Sequence, residues 1–255
     1  MNNFSAMRTR RSIVAVFLVL TAVAMSAAFA PKFYAQTAER ENSDLLSGFR
    51  HVEVASVSDA IEQIMGKQMY MSHRMRPLFP SKFAGYALTV KLKKQENQDP
   101  QVLNGMISAI DQGKENSVYV MVVEDGVDIA GMGGLMGTAM AARNFSGAVI
   151  DGGVRDTAYL RKILFPVFAT GTVPSTSVGH YRFDGSNIPV VCDGVPVKPG
   201  DIVVADNDGV AVVPIARARE VLKLAQDMDF KEHSMYPVIE KLKSLGDAIR
   251  QFGRL

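Results

Sequence analysis

The middle of this chain restricts its fold more than any other feature. Short runs of β-branched and aromatic residues alternate there with stretches of helical spacing, and glycine-rich turns join the two. Residues 86–92, 117–123, 147–150 and 166–170 read as strands, and spans 100–113, 135–143 and 156–163 as helices. Asp99 is placed to cap the first of these helices, with Pro100 in its opening turn. Such alternation calls for parallel strands covered by helices. Further on, the runs 190–192, 202–205 and 210–213 crowd together as strands. Cys192-Asp193-Gly194-Val195 and Asp206-Asn207-Asp208-Gly209 supply the residues that tolerate positive φ in tight hairpins. An α/β domain with a mixed sheet or small barrel follows. Ser58 or Asp59 can cap a helix running to about Met69. Past Pro214, two helices separated by Pro237 close the chain, the second with a stripe of Ile239, Leu242, Leu245, Ile249 and Phe252 that packs on the body or joins a neighbouring subunit.

With 255 residues, 47% of them hydrophobic, the chain can bury one large core, and a lone Cys192 leaves stability to packing rather than to disulfides. The net charge of +2 conceals an asymmetry, because Arg8, Arg10, Arg11 and Lys32 stand in the first 35 residues with no acid among them. The body is therefore slightly acidic and has no dense Lys/Arg block, which argues against nucleic acid as a partner. Residues 1–35, with the uncharged apolar run Ile13 to Ala30 behind those arginines, have the layout of an export signal. Thr9-Arg10-Arg11-Ser12-Ile13-Val14 looks like a twin-arginine signal. Pro31 hinders cleavage after Ala30, leaving the bond after Ala35 or an uncleaved anchor, since eighteen apolar residues are near the minimum for a span of ~30 Å. The expected protein is periplasmic or secreted, or membrane-anchored through residues 13–30. Residues 36–50 read as a polar lead-in and 51–255 as the domain with its C-terminal helices.

Two glycine-rich turns carry the chemical signal. Gly131-Met132-Gly133-Gly134-Leu135-Met136-Gly137 follows a strand and opens a helix; it is either a turn that permits close packing or a place where free amides meet an anion. The second, Asp151-Gly152-Gly153-Val154-Arg155-Asp156, lies at the next strand-to-helix junction, where α/β folds place ligands. Asp156 can cap a helix or hold a hard cation, and Arg155 can form a structural ion pair or clamp a carboxylate. Spacing alone leaves both pairs of readings open. The four histidines show no zinc-site spacing, Cys192 lies in an apolar run without a basic neighbour, and Asp206 to Asp208 suit a turn better than a calcium loop.

The run Gly147-Ala148-Val149-Ile150-Asp151-Gly152-Gly153-Val154-Arg155-Asp156, then Phe165-Pro166-Val167-Phe168-Ala169, then Pro199-Gly200-Asp201-Ile202-Val203-Val204-Ala205-Asp206, resembles the RraA-like family. That family contains the regulators of ribonuclease E activity and the metal-dependent 4-hydroxy-4-methyl-2-oxoglutarate aldolases. The likeness runs from about Val54 to Ala225 and includes Arg76-Pro77-Leu78-Phe79-Pro80. It implies an α/β/α-layered domain of the swivelling phosphohistidine-domain type, assembled as a homotrimer or hexamer with sites near subunit interfaces. It further implies that the amides of Gly133, Gly134, Leu135 and Met136 bind the carboxylate of a small 2-oxo acid, that Arg155 grips the substrate, and that Asp156 holds Mg²⁺ or Mn²⁺. The implied activity is a lyase reaction, aldol cleavage or oxaloacetate decarboxylation, that releases pyruvate; the alternative is a non-catalytic binding or regulatory protein. Where aldolase members carry acidic residues, this chain has Gly134 and Tyr159, so the electron-sink half of the site is better preserved than the acid–base half.

Overall fold

The computed structural model describes residues 43–98 and 102–252, so the expected export segment, the start of the expected lead-in and the expected Asp99-Pro100 cap lie outside the described residues. From Leu45 onward the chain forms one compact unit. A helix over 43–51 (α1) sends Leu45, Leu46 and Phe49 into the core, so the domain begins before residue 51 and the end of the lead-in belongs to it. The next helix, α2 (Val54–Met65), starts four residues before the expected Ser58 and ends at Gly66, whose left-handed backbone stops it short of Met69. Its caps come from far away in sequence: Glu53 N–H donates to Asp229 Oδ1 and Val54 N–H to Asp206 Oδ2, each at 2.9 Å. No local pattern could have shown that.

The sheet is built from β1 (Arg76–Pro77), β2 (Phe83–Lys94), β3 (Ser117–Val123), β4 (Ala130–Met132), β5 (Gly147–Val154), β6 (Val167–Thr172), β7 (Tyr181–Ser186), β10 (Ile202–Asp206) and β11 (Gly209–Val213). A separate hairpin pairs β8 (Val190–Cys192) with β9 (Val195–Val197). The main order is β1-β6-β5-β3-β2-β10-β11, with β4 beside β5 and β7 beside β2. The β2, β3, β5 and β6 pairings are parallel, as the strand–helix alternation requires, and β1, β7, β10 and β11 join antiparallel. Residues 69–77 touch both edges. Met71 N–H donates to Val210 O and Val212 N–H to Met69 O, while Arg76 and Pro77 pair with Ala169 and Phe168. The mixed sheet is thereby almost closed into a barrel.

Both faces of the parallel strands are buried, and the alternation along β3 shows how. Val118 and Val120 pack in a cluster with α2 and with α6 (Ala218–Leu242), while Tyr119 and Met121 face α3 (Val102–Gln112), α4 (Gly134–Ala142) and α5 (Thr157–Lys162). Two expectations fail at the C-terminus. Pro237 does not separate two helices: it lies exposed inside α6, where a proline removes one backbone bond. The break falls instead at Lys243, in a left-handed conformation, before α7 (Leu245–Phe252), so the expected stripe is split between two helices and Leu242 and Leu245 are exposed. The strand β7 was not expected, because Tyr181-Arg182-Phe183-Asp184-Gly185-Ser186 ends in turn-forming residues. Among the described residues no helix is long and apolar enough to cross a membrane.

Candidate functional site

Strand β4 decides where the two glycine-rich turns meet. It runs parallel to the C-terminal end of β5, with Ala130 opposite Gly153 and Met132 opposite Val154, and Arg155 N–H donates to Met132 O at 3.0 Å. The chain leaves both strands side by side, so Gly133-Gly134 and Arg155-Asp156 are forced into contact. Gly134 N–H donates to Asp156 Oδ2 at 2.8 Å. A Cβ built at Gly133 would lie 2.6 Å from Asp156 Oδ2 and 3.2 Å from Arg155 Nε, so the close approach demands glycine there. Asp156 has φ 58°, a left-handed conformation that Asp tolerates better than most residues, and its side chain does not cap α5. The helix-capping reading of Asp156 is thus replaced by a bond across to α4.

Arg155 is held from the other side. Its Nη1 donates to Ser175 O at 3.1 Å, and Ser175 Oγ in turn accepts from Ala130 N–H and donates to Asp128 O. Its Nε stands 3.9 Å from Asp156 Oδ2, with the two side chains 46% and 50% exposed. They face an open cleft of about 440 Å³ beyond the carboxyl ends of β5 and β6, walled by Thr157, Thr172, Val173 and Pro174. The glycine turn does not line this cleft; it lies against Arg155 and Asp156 where α4 begins. Leu135 and Met136 follow in the first turn of α4, their amides without a backbone acceptor among the described residues, and the Leu135 side chain is 90% exposed. Of the six expected residues, Arg155 and Asp156 line the cleft, while Gly133, Gly134, Leu135 and Met136 lie beside it, and the Gly134 amide, expected to bind a substrate carboxylate, is engaged by Asp156 instead.

Sequence reasoning missed the Thr172 to Pro174 wall and the Ser175 carbonyl behind it. The Pro174-Ser175 pair just after a strand neighbouring β5 was the available signal. It also missed that positions 134 and 159 are neighbours: a Cβ on Gly134 would stand 3.1 Å from Tyr159 Cδ1, and the phenol lies 3.4 Å from Thr138 Oγ1. Tyr159 occupies room that a side chain at 134 would need.

The donor set can be tested against a divalent ion. Asp156 offers a half-exposed carboxylate with one oxygen engaged by an amide, and Thr157 and Thr172 add hydroxyls to the same cleft. No group of three or more His, Cys, Asp or Glu that could hold an ion occurs among the described residues. This fits Mg²⁺ or Mn²⁺, hard ions that bind through one carboxylate while water and substrate oxygens complete the shell. It does not fit zinc.

A second polar group stands apart. Asp193, in the β8–β9 turn, is 1% exposed in its side chain, and it accepts from Arg74 Nη2 at 2.6 Å and from Ser72 N–H at 2.7 Å. Its own N–H donates to Asp151 Oδ2 at 2.7 Å. Burial works to raise Asp193, yet the bonds from Ser72 and Arg74 outweigh it and hold the carboxyl below the usual range. Burial pushes Asp151 up, and burial followed by these two carboxylates pushes the Cys192 thiol well up, as suits an inert structural cysteine.

A family model described as RraA-like, Aldolase/RraA, matches residues 54–212. The chain belongs to the RraA-like family. It is 27% identical over 188 residues to a protein of Halalkalibacterium halodurans named "Putative 4-hydroxy-4-methyl-2-oxoglutarate aldolase", which spans 72% of this chain and 82% of that one. Among solved structures, an uncharacterized protein from Pseudomonas syringae pv. tomato superposes with a TM-score of 0.75 at 26% identity, over 82% of this chain and 94% of that one. Streptomyces coelicolor RraAS2, described as an unusual member of the RNase ES inhibitor RraA protein family, superposes with a TM-score of 0.69 at 24% identity, over 79% and 98%. That last likeness bears on the fold alone, which is a mixed α/β fold with a nearly closed sheet. The relatives place the chain in a family with lyase, specifically aldolase, members.

Proposed function

We propose that this chain is a divalent-metal-dependent lyase acting on short 2-oxo acids, on a scaffold of the swivelling phosphohistidine type and as a homotrimer or hexamer. The observation that carries the reading is the contact of the two turns: Gly134 N–H on Asp156 Oδ2, with Arg155 over Gly133, at the mouth of one cleft. In this arrangement Arg155, its direction fixed by Ser175 O, grips the substrate carboxylate through paired N–H donors. The amides of Leu135 and Met136 lie beside the cleft at the positive end of α4, whose field favours an anion held by Arg155. Asp156 would hold Mg²⁺ or Mn²⁺, which when bound supplies Lewis-acid charge beside the keto oxygen. Gly134 and Tyr159 place no carboxylate to move a proton at the leaving group. That favours β-decarboxylation of oxaloacetate, which needs chiefly an electron sink and takes its proton from water, over aldol cleavage of 4-hydroxy-4-methyl-2-oxoglutarate.

The test is pyruvate formation by the full protein with Mg²⁺ or Mn²⁺ and either substrate. Pyruvate above a metal-only control, lost in Asp156→Ala, is expected. No pyruvate from either substrate, or turnover unchanged in Asp156→Ala, would overturn the lyase reading. A folded protein that binds oxalate through Arg155 without turnover would instead match the second reading, a binding or regulatory member of the family, which Gly134 and Tyr159 favour by leaving no acid–base carboxylate at those positions.

A further inference from the structure

At the opposite end of the sheet, where β2, β3, β5 and β6 begin, lies another open cleft of about 450 Å³. The eight residues of β5 separate it from Arg155 by about 25 Å. Helix α1 and the connections at 80–83, 113–116, 143–146 and 161–166 bring Arg50, Lys82, Lys114, Arg143, Arg161 and Lys162 to this end; Asp111, Glu115 and the Asp206–Asp208 turn, tied to Ser81 N–H through Asn207 Oδ1, lie there too, but outside the lining of the cleft. None of the six cations is in an ion pair among the described residues, although Arg74, Lys91, Arg182, Arg217 and Arg250 elsewhere are. Three of them are nevertheless fixed by neutral groups. Arg50 donates to Ala84 O, Asn116 Oδ1 and Ser146 Oγ, Arg143 to Gly113 O, and Arg161 to Leu78 O. Within the lining of the cleft, the charges of Arg50 and Lys82 meet no carboxylate.

The rim of this cleft holds an independent anomaly. Asn116, Asn144 and Leu164 sit at equivalent helix-to-strand turns, all left-handed, with φ 60°, 58° and 53°. Asparagine tolerates that conformation; leucine is strained in it. The bonds from Phe165 N–H to Leu160 O and from Leu164 N–H to Arg161 O show that this turn caps α5, a position glycine or asparagine usually fills, and the leucine placed there instead is 72% exposed. An apolar side chain held into water at a conformational cost is the pattern of a contact kept for a ligand.

We propose that this cleft binds a small soluble amphiphilic anion, a phosphate or carboxylate on an alkyl or aryl body. The head would lie between Arg50 and Lys82 and the body against Ile163, Leu164 and Pro166.

The chain has no tryptophan, so Leu164→Trp installs a single fluorescent reporter on the rim. Hexyl phosphate is expected to shift its emission saturably, while inorganic phosphate and hexanol bind at least about tenfold more weakly, each lacking one half of the recognition. Lys82→Glu in that background should weaken hexyl phosphate about tenfold, and Arg155→Ala should leave it unchanged, separating this cleft from the proposed lyase site. Without the reporter, Leu164→Gly should weaken calorimetric binding while raising Tm by ~2–4 °C, because it removes strain and contact together. The proposal is overturned by any of three results: no saturable response to hexyl phosphate by about 10 mM, equal binding of inorganic phosphate, or indifference to both Lys82→Glu and Leu164→Gly. A response to phosphatidylglycerol vesicles with none to hexyl phosphate would also overturn it, in favour of a membrane-facing surface.

Discussion

Replacing Gly133 by alanine puts a methyl group in place of a hydrogen where the two turns cross. The backbone of Gly133 is extended, with φ −150°, so alanine meets no conformational obstacle and the whole effect is steric. The new Cβ would stand 2.6 Å from Asp156 Oδ2, about 0.8 Å inside ordinary van der Waals contact, and 3.0 Å from Arg155 Cγ. Asp156 cannot withdraw by that amount and keep its 2.8 Å bond to Gly134 N–H. Both side chains are half exposed and can swing outward, so the stability cost should fall at the low end of overpacking, about 1 kcal/mol. A displacement approaching 1 Å at groups that must hold a substrate costs far more in function, on the order of 100-fold in kcat/KM. Thermal unfolding, oxalate titration and pyruvate release on one preparation separate the two effects. A folded Gly133→Ala protein whose oxalate affinity and turnover both stay within about twofold of wild type would refute the claim that this crossing positions the site.

Arg74→Ala should destabilise the protein at neutral pH, with the deficit closing as the pH falls below about 4. Asp193 is held below its usual range in the fold, so its contribution is present above the unfolded pKa and is lost as acid protonates the carboxyl; equal deficits at pH 7 and pH 3 in denaturant melts would contradict this. Tyr119→Phe removes a fully buried hydroxyl with no partner among the described residues, and should be neutral or stabilising by up to about 1–2 kcal/mol; a loss of that size would show that the hydroxyl is satisfied.

Local chemistry made much of the fold legible. The strand runs of the parallel core appear where β-branched residues cluster, and the Asp193-Gly194 turn forms the hairpin its residues allow, with φ 42° and 86°. What escaped was set by distant parts of the chain. Helix α2 starts early because carboxylates over 150 residues away satisfy its first amides, and α1 belongs to the domain because Leu45, Leu46 and Phe49 find a core the lead-in does not advertise. Pro237 misled in the other direction, since an exposed proline interrupts one bond and not the 25-residue helix around it. At the site, residue types pointed to both turns, but only the β4–β5 pairing explains why they touch. The Ser175 carbonyl that aims Arg155 has no signature in residue type, because every residue has one.

The segment from Met69 to Pro77 joins the first and last strands of the sheet like the clasp of a bracelet, and Ser72 and Arg74 inside it are fastened to Asp193. Unfastening that point releases two borders together, and one of them is β6, whose final residue, Thr172, helps wall the cleft before Arg155. The rigidity available to the site is therefore underwritten by a hairpin that does not line the cleft.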